Sequence, residues 1–154
     1  MDLSLFSLEG KTALVTGVSR GLGQAMAIAL ARAGADIVGV GLRGMGDTQA
    51  LVEAEGRRTY EIRADLSQRN AAERVAKEAL AAFGKVDILV NNAGIYRDQL
   101  MPFVEQSSQL WRRKMEINVL GMMYLTQEVL PQMIERRYGK IVNIASVAGV
   151  YGLR

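Results

Sequence analysis

The stretch VTGVSRGLGQAM (15–26) sets Gly17, Gly21 and Gly23 between a β-branched run and an alanine-rich one. Glycine tolerates backbone conformations and close approaches that a side chain forbids, so the spacing G-x-x-x-G-x-G predicts a tight turn from a strand into a helix. Such a turn presents backbone N–H groups and the positive end of a helix dipole to an anion, and in a parallel sheet ligands bind beyond the carboxyl ends of the strands. The chemistry it suits is the holding of a phosphate or pyrophosphate. A P-loop is excluded, because no Lys-Ser/Thr pair follows the last glycine. On the glycines alone, a turn without ligand is the simpler reading.

The sequence contains no histidine and no cysteine. Zinc sites of the His/Cys kind, disulfides and the Ser-His-Asp or Cys-His nucleophile arrangements are therefore outside what these residues can build. Catalysis here must rest on Ser, Tyr, Lys, Asn or carboxylates. The net charge is +3, but the basic residues are scattered or sit in helical stretches such as WRRK (111–114) and ERR (135–137). These read as solvated helix faces, so no nucleic-acid partner is expected. No window reaches membrane-spanning length, and MDLSLFSLEGK at the start has no basic n-region. A cytoplasmic location without a membrane partner is expected, and the lack of cysteine fits a reducing compartment.

The elements that must position these groups alternate regularly. Apolar runs at 11–17, 35–42, 57–66, 86–94 and 140–146 predict strands; the intervening patterns at 21–34, 47–56, 70–83 and about 108–137 predict helices. Gly34 and Gly56 are expected to close the first two helices, Asp47 to start the second and Ser67 to cap the third. Strand–helix alternation implies parallel strands with right-handed crossovers, and the Val/Ile/Leu content of strands one, four and five predicts cover on both faces. The expected fold is a doubly wound parallel α/β sheet of the Rossmann kind in one domain, 1–154, since no repeat or linker interrupts it. Leu110, Met115, Ile117, Val119, Leu120, Met122, Met123, Leu125, Val129 and Leu130 point to nearly every side of the last helix. A helix apolar all round needs cover on more than one side. The sheet supplies one, and a subunit interface is expected to supply the other, giving a homodimer or homotetramer.

TGVSRGLG (16–23), ADL (64–66), NNAG (91–94), IN (117–118) and IVNIAS (141–146), in this order and spacing, resemble the short-chain dehydrogenase/reductase family over essentially the whole chain. FSLEGKTALVTG (6–17) with GADIVGV (34–40) is most similar to the sugar-acid dehydrogenases of that family. The resemblance implies an oxidoreductase that moves a hydride between NAD(P) and a small hydroxylated substrate. It makes Gly17, Ser19, Arg20, Gly21, Leu22 and Gly23 the site of the pyrophosphate and ribose phosphate. Asp65 would accept a hydrogen bond from the adenine amino group, and Leu66 would offer its backbone amide. Asn92, Ala93 and Gly94 would floor the adenosine and nicotinamide ribose. Asn118 would hold a water of the proton relay, and Ser146 would bond the substrate oxygen.

Each assignment has a plainer counterpart. Asp65 also fits a turn entering a helix, NNAG an ordinary turn after a strand, and Asn118 a partner for a backbone carbonyl. The second strand ends with Gly41 where an acid that binds the ribose of NAD would be expected, and Arg20 and Arg43 stand close by in sequence to pair with a 2′-phosphate. NADP(H) is therefore expected over NAD(H). The family's Tyr-x-x-x-Lys pair lies further beyond the serine; Tyr151 comes too early, and no lysine follows it. The chain is expected to be the N-terminal portion of a single-domain enzyme and inactive by itself. A non-catalytic dinucleotide-binding or regulatory fragment is the alternative.

Overall fold

The computed structural model describes residues 4–95 and 102–150. Strands β1 (Thr12–Thr16), β2 (Asp36–Gly41), β3 (Thr59–Arg63), β4 (Ile88–Asn91) and β5 (Lys140–Asn143) form one sheet in the order β3-β2-β1-β4-β5. Every neighbouring pair is parallel. Helices α1 (Gly21–Arg32), α2 (Thr48–Ala54) and α3 (Arg69–Phe83) connect the first four strands. The last crossover is one long helical run: α4 (Ser108–Met115), a π-helical segment (Glu116–Gly121) and α5 (Met122–Glu135). This is the expected doubly wound fold. Its strand order reverses at β1, between β2 and β4, and a doubly wound sheet opens a crevice at that point.

Side-chain alternation along the strands divides the core. Ala13 and Val15 of β1 turn to the face where Ala27, Ala31 and Val52 of α1 and α2 pack, while Leu14 turns to Val75, Leu125 and Val129 on α3 and α5. Both faces of β1, β2 and β4 are buried, as near-continuous apolar runs in a parallel sheet require.

Two expectations need correction. The strand β5 is an edge, and all four of its residues are exposed, because its apolar content does not itself supply a neighbour on the outer side. Ser67 does not cap α3: Gln68 holds the N-cap position, and the Ser67 hydroxyl donates instead to Asp65. The long helix is covered on one side in the single chain, which leaves the other for the expected subunit interface. Ile117, Leu125, Val129 and Met133 are buried, whereas Met115, Met123 and Ile134 stand out into solvent. Its π-helical segment also has no counterpart in the expected pattern. Gly121 ends that segment against the backbone of Leu66, where a Cβ would lie 2.5 Å from the Leu66 carbonyl oxygen.

At the amino end of the sheet, buried Asp87 accepts the Thr12 N–H at 3.0 Å and an Arg136 N–H at 2.7 Å, with Lys85 at 3.3 Å. One carboxylate thus ties β1 and β4 to the end of α5. Burial pushes its pKa up, but the Thr12 amide, Arg136 and Lys85 together outweigh this and hold it below the ordinary value. Removing it leaves a desolvated guanidinium and amide without their acceptor, so Asp87→Ala is expected to cost about 3 kcal/mol in urea unfolding at neutral pH. A depressed carboxylate pKa contributes stability above its unfolded value, and that contribution disappears as pH falls through the folded one. The difference between wild type and variant should therefore narrow below roughly pH 4.

Candidate functional site

β1 ends in Thr16, and its hydroxyl organises the loops that follow. Thr16 Oγ1 donates to the Val90 carbonyl at 3.2 Å and accepts the N–H groups of Asn92 and Ala93, both at 2.9 Å. Asn92 answers from just after β4: its side-chain amide donates to the carbonyls of Thr16 and Gly17 at 2.9 and 3.2 Å. The glycine turn and the NNAG loop are thereby locked together. Gly17 takes φ +66°, and a Cβ there would come within 2.9 Å of the Ala93 Cα. At Gly23 a Cβ would collide with the Gly17 carbonyl oxygen, so the first turn of α1 can lie directly against the end of β1.

Above this junction, at the carboxyl ends of the strands, lies a cleft of about 480 Å³. Gly17, Ser19, Arg20 and Gly21 form one wall, Asp65 and Leu66 another, and Asn92, Ala93, Gly94 and Ile95 the base, with Arg113 and Ile117 of the long helix closing it. The start of α1 is within this lining, where the first amides of a helix have no carbonyl of their own helix to bond. A wider, more open groove of about 630 Å³ lies at the amino end of β3 between Arg57, Tyr60 and Phe83. It has neither a glycine turn nor a helix start.

Asp65 is held on one side only. Its Oδ1 accepts the Ser67 N–H at 3.0 Å and the Ser67 hydroxyl at 2.7 Å, while Oδ2 faces Arg113 at 3.7 Å. The Ser67 hydroxyl lowers its pKa against the opposing effect of burial, helped by the Ser67 amide and the Arg113 charge. The turn role and a place in the cleft are therefore both realised in this residue.

Several expected residues lie outside the lining. Leu22 is exposed and Gly23 is buried beneath the turn. Asn118 sits in the π-helical segment, where its side chain accepts the Ile95 N–H at 2.8 Å and donates to the Ile95 carbonyl at 3.0 Å. The backbone partnership of its plainer reading is realised. Ser146 follows the extension of β5 at the same end of the sheet, and its Oγ accepts the Ala148 N–H at 3.1 Å. Tyr151 is outside the described residues. Arg43 is exposed on the turn after β2. That turn is pinned by Glu61 of β3, which accepts the Met45 N–H at 2.7 Å and the Arg63 Nε–H at 2.9 Å, and Met45 is fully buried over Gly39. A Cβ at Gly41 would strike the Gly44 carbonyl oxygen, so this turn has no room for an acid at the end of β2.

Sequence reasoning missed Thr16, Glu61 and Arg113. A signal existed for the last: Arg113 and Ile117 are four apart and share a helix face, so the cation one turn before the buried Ile117 reaches the rim of the cleft that Ile117 lines.

The family model for the short chain dehydrogenases matches residues 11–154. The chain belongs to this family. Among short-chain dehydrogenases, it is 44% identical over 153 residues to the 2-dehydro-3-deoxy-D-gluconate 5-dehydrogenase of Dickeya dadantii, covering 99% of this chain and 60% of that one. The chain thus spans about 60% of the length of the curated relatives it matches. A metagenomic short-chain oxidoreductase solved with NADP superposes with a TM-score of 0.86 at 33% identity, over 95% of this chain and 66% of that one. Carveol dehydrogenase from Mycobacterium avium, solved with NAD, gives 0.87 at 26% identity over 95% and 58%.

The junction under the cleft yields a direct test. Gly23→Ala is expected to destabilise the fold by about 1–3 kcal/mol, as overpacking does. Gly21→Ala, where nothing lies within 4 Å of a Cβ but φ is +58°, should cost only the left-handed backbone penalty of about 1 kcal/mol. Urea unfolding of the two variants should rank them in that order.

Proposed function

We propose that this chain carries the dinucleotide site of an NAD(P)-dependent dehydrogenase or reductase acting on a small hydroxylated substrate, with a sugar acid the favoured class. The carrying observation is the convergence of the glycine turn, the start of α1, Asp65 and the NNAG loop on one cleft at the strand reversal. The 2-dehydro-3-deoxy-D-gluconate 5-dehydrogenases among the relatives support the sugar-acid class. Location in the cytoplasm rests on the cysteine-free sequence.

The cleft fits a dinucleotide by its donor set. The amides of the turn and the Arg20 guanidinium suit the phosphates; Asp65 Oδ2 suits an exocyclic amino group; Asn92, Ala93 and Gly94 supply a side-chain-poor floor for a ribose. A bound nicotinamide would give or take the hydride. Within this chain, the Ser146 hydroxyl keeps its proton to donate to a substrate oxygen while its Oγ accepts the Ala148 amide. Asn118 fixes the Ile95 backbone at the cleft base, and from there would hold a water of the proton relay. Leu22 and Gly23 shape the phosphate turn from outside the cleft, and Leu66 lends its backbone.

NADP(H) is the favoured cofactor. An acid is sterically barred at Gly41, Arg20 is on the cleft wall, and Arg43 rides on the adjoining turn. Equilibrium binding to the full-length polypeptide should show tighter NADP than NAD, with Arg20→Ala and Arg43→Ala each weakening NADP more than NAD. Equal affinities that neither substitution changes would contradict the preference. Hydride transfer from the hydroxyl-bearing carbon of a 2-keto-3-deoxy sugar acid to the oxidised nicotinamide, followed at the nicotinamide absorbance, tests the reaction. Residues 1–154 alone should bind dinucleotide without turnover, because general acid–base catalysis contributes about 10²- to 10⁴-fold and no Tyr-x-x-x-Lys pair follows Ser146 in them.

The exposed Met115, Met123 and Ile134 along the long helix support a homodimer or homotetramer formed through it. Sedimentation of the full-length polypeptide at micromolar concentration should show no monomer; a monomer would overturn this assembly.

A further inference from the structure

The WRRK run reads from sequence as a solvated helix face, yet one of its cations, half exposed, lines the cleft. Arg113 lines it beside Asp65, Leu66 and Ile117. Its neighbours in the run do otherwise: Lys114 donates to Gln106 at 3.2 Å and lies over the Trp111 ring, and Arg112 is exposed. The Arg113 side chain is 49% exposed, and its nearest nitrogen is 3.7 Å from Asp65 Oδ2, beyond hydrogen-bond length. It is held near the carboxylate by charge without being locked to it.

This leaves Asp65 with a divided environment. Ser67 fills Oδ1 from below, through both its amide and its hydroxyl. Oδ2 is the oxygen on the side of Arg113. The rest of that end of the cleft is aliphatic or side-chain-poor, formed by Gly41, Leu42, Ala64 and Leu66. A planar heterocycle carrying an exocyclic amino group could donate to Oδ2 and bury its faces there, and it would then lie within reach of the guanidinium. Guanidinium is planar and weakly hydrated, and it stacks on aromatic faces in a way that an ammonium does not.

The geometry points to Arg113 as a binding residue for the adenine base, covering the ring from the long helix while Asp65 holds its amino group. This rests on the dinucleotide reading above and adds a residue from outside the glycine turn. The Asp65–Arg113 pair then has one purpose on each side: the carboxylate selects the amino group, and the guanidinium supplies a flat lid.

Calorimetric titration of the full-length polypeptide with AMP, IMP, NAD and NADP tests it. AMP should bind better than IMP, which has an oxo group where adenine has the amine. Arg113→Ala should weaken AMP, NAD and NADP by a common factor of roughly 3- to 30-fold, the range for a cation over an aromatic ring. Arg113→Lys should remain weak, because it keeps the charge and loses the plane; it also carries the test if the alanine variant does not fold, which its thermal unfolding will show. Unchanged AMP affinity in both variants overturns the proposal, as does full recovery with lysine, which would make the effect one of charge. A loss confined to NADP overturns it too, because Arg113 would then be a partner of the 2′-phosphate. Wild type that binds neither AMP nor either dinucleotide would instead refute the dinucleotide reading, and this inference with it.

Discussion

The Gly17 carbonyl occupies the space where a side chain at residue 23 would be. This exclusion lets α1 start directly against the end of β1, and the other features of the cleft follow from that closeness. The Thr16 hydroxyl and the Asn92 amide can span the gap between the glycine turn and the NNAG loop only because the two backbones nearly touch. A turn opened by a methyl group would separate the helix amides from the floor beneath them. The cleft is thus built mainly from backbone, which suits a ligand whose charges are spread over phosphates rather than concentrated at one atom.

Charge is distributed along the same cleft with some economy. Arg20 stands at the glycine-turn end and Arg113 at the other, and Asp65 lies beside Arg113. The opposite end of the sheet is organised differently: Asp87 and Asp36 are buried there, and each is engaged on both oxygens by basic side chains and a backbone amide. Those carboxylates fasten strands to one another, whereas Asp65 keeps one oxygen directed away from its own turn. A buried carboxylate with both oxygens engaged stabilises the fold, and one only half engaged remains able to meet a ligand.

The local parts of this design were legible from residue types. The glycine spacing announced a turn, the alternating patterns announced the parallel sheet, and the motif order led to the family. What depended on distant neighbours was not legible. β5 reads as a core strand because Ile141 and Val142 are apolar, but burial requires an adjoining element, and among the described residues it is the edge. Asn118 left two readings open, and the backbone one depended on whether residue 95 came within reach. The π-helical segment had no marker except Gly121, whose meaning appears only when the Leu66 carbonyl is found against it. Arg113 was hidden by its company, since a run of basic residues suggests solvent until helix phase is counted from Ile117. Thr16 was read as part of a motif, although a hydroxyl buried at a strand end should itself suggest a set of amides waiting for it.

Hydrogen exchange followed by mass spectrometry, with and without saturating NADP(H), asks where a dinucleotide sits on the full-length polypeptide. Protection should appear in peptides covering 17–24, 64–67 and 91–95, which meet at the carboxyl ends of the strands, and should be absent from 57–60 and 82–83 at the amino-end groove. Protection at that groove with none at the glycine turn would contradict the assignment of the cleft.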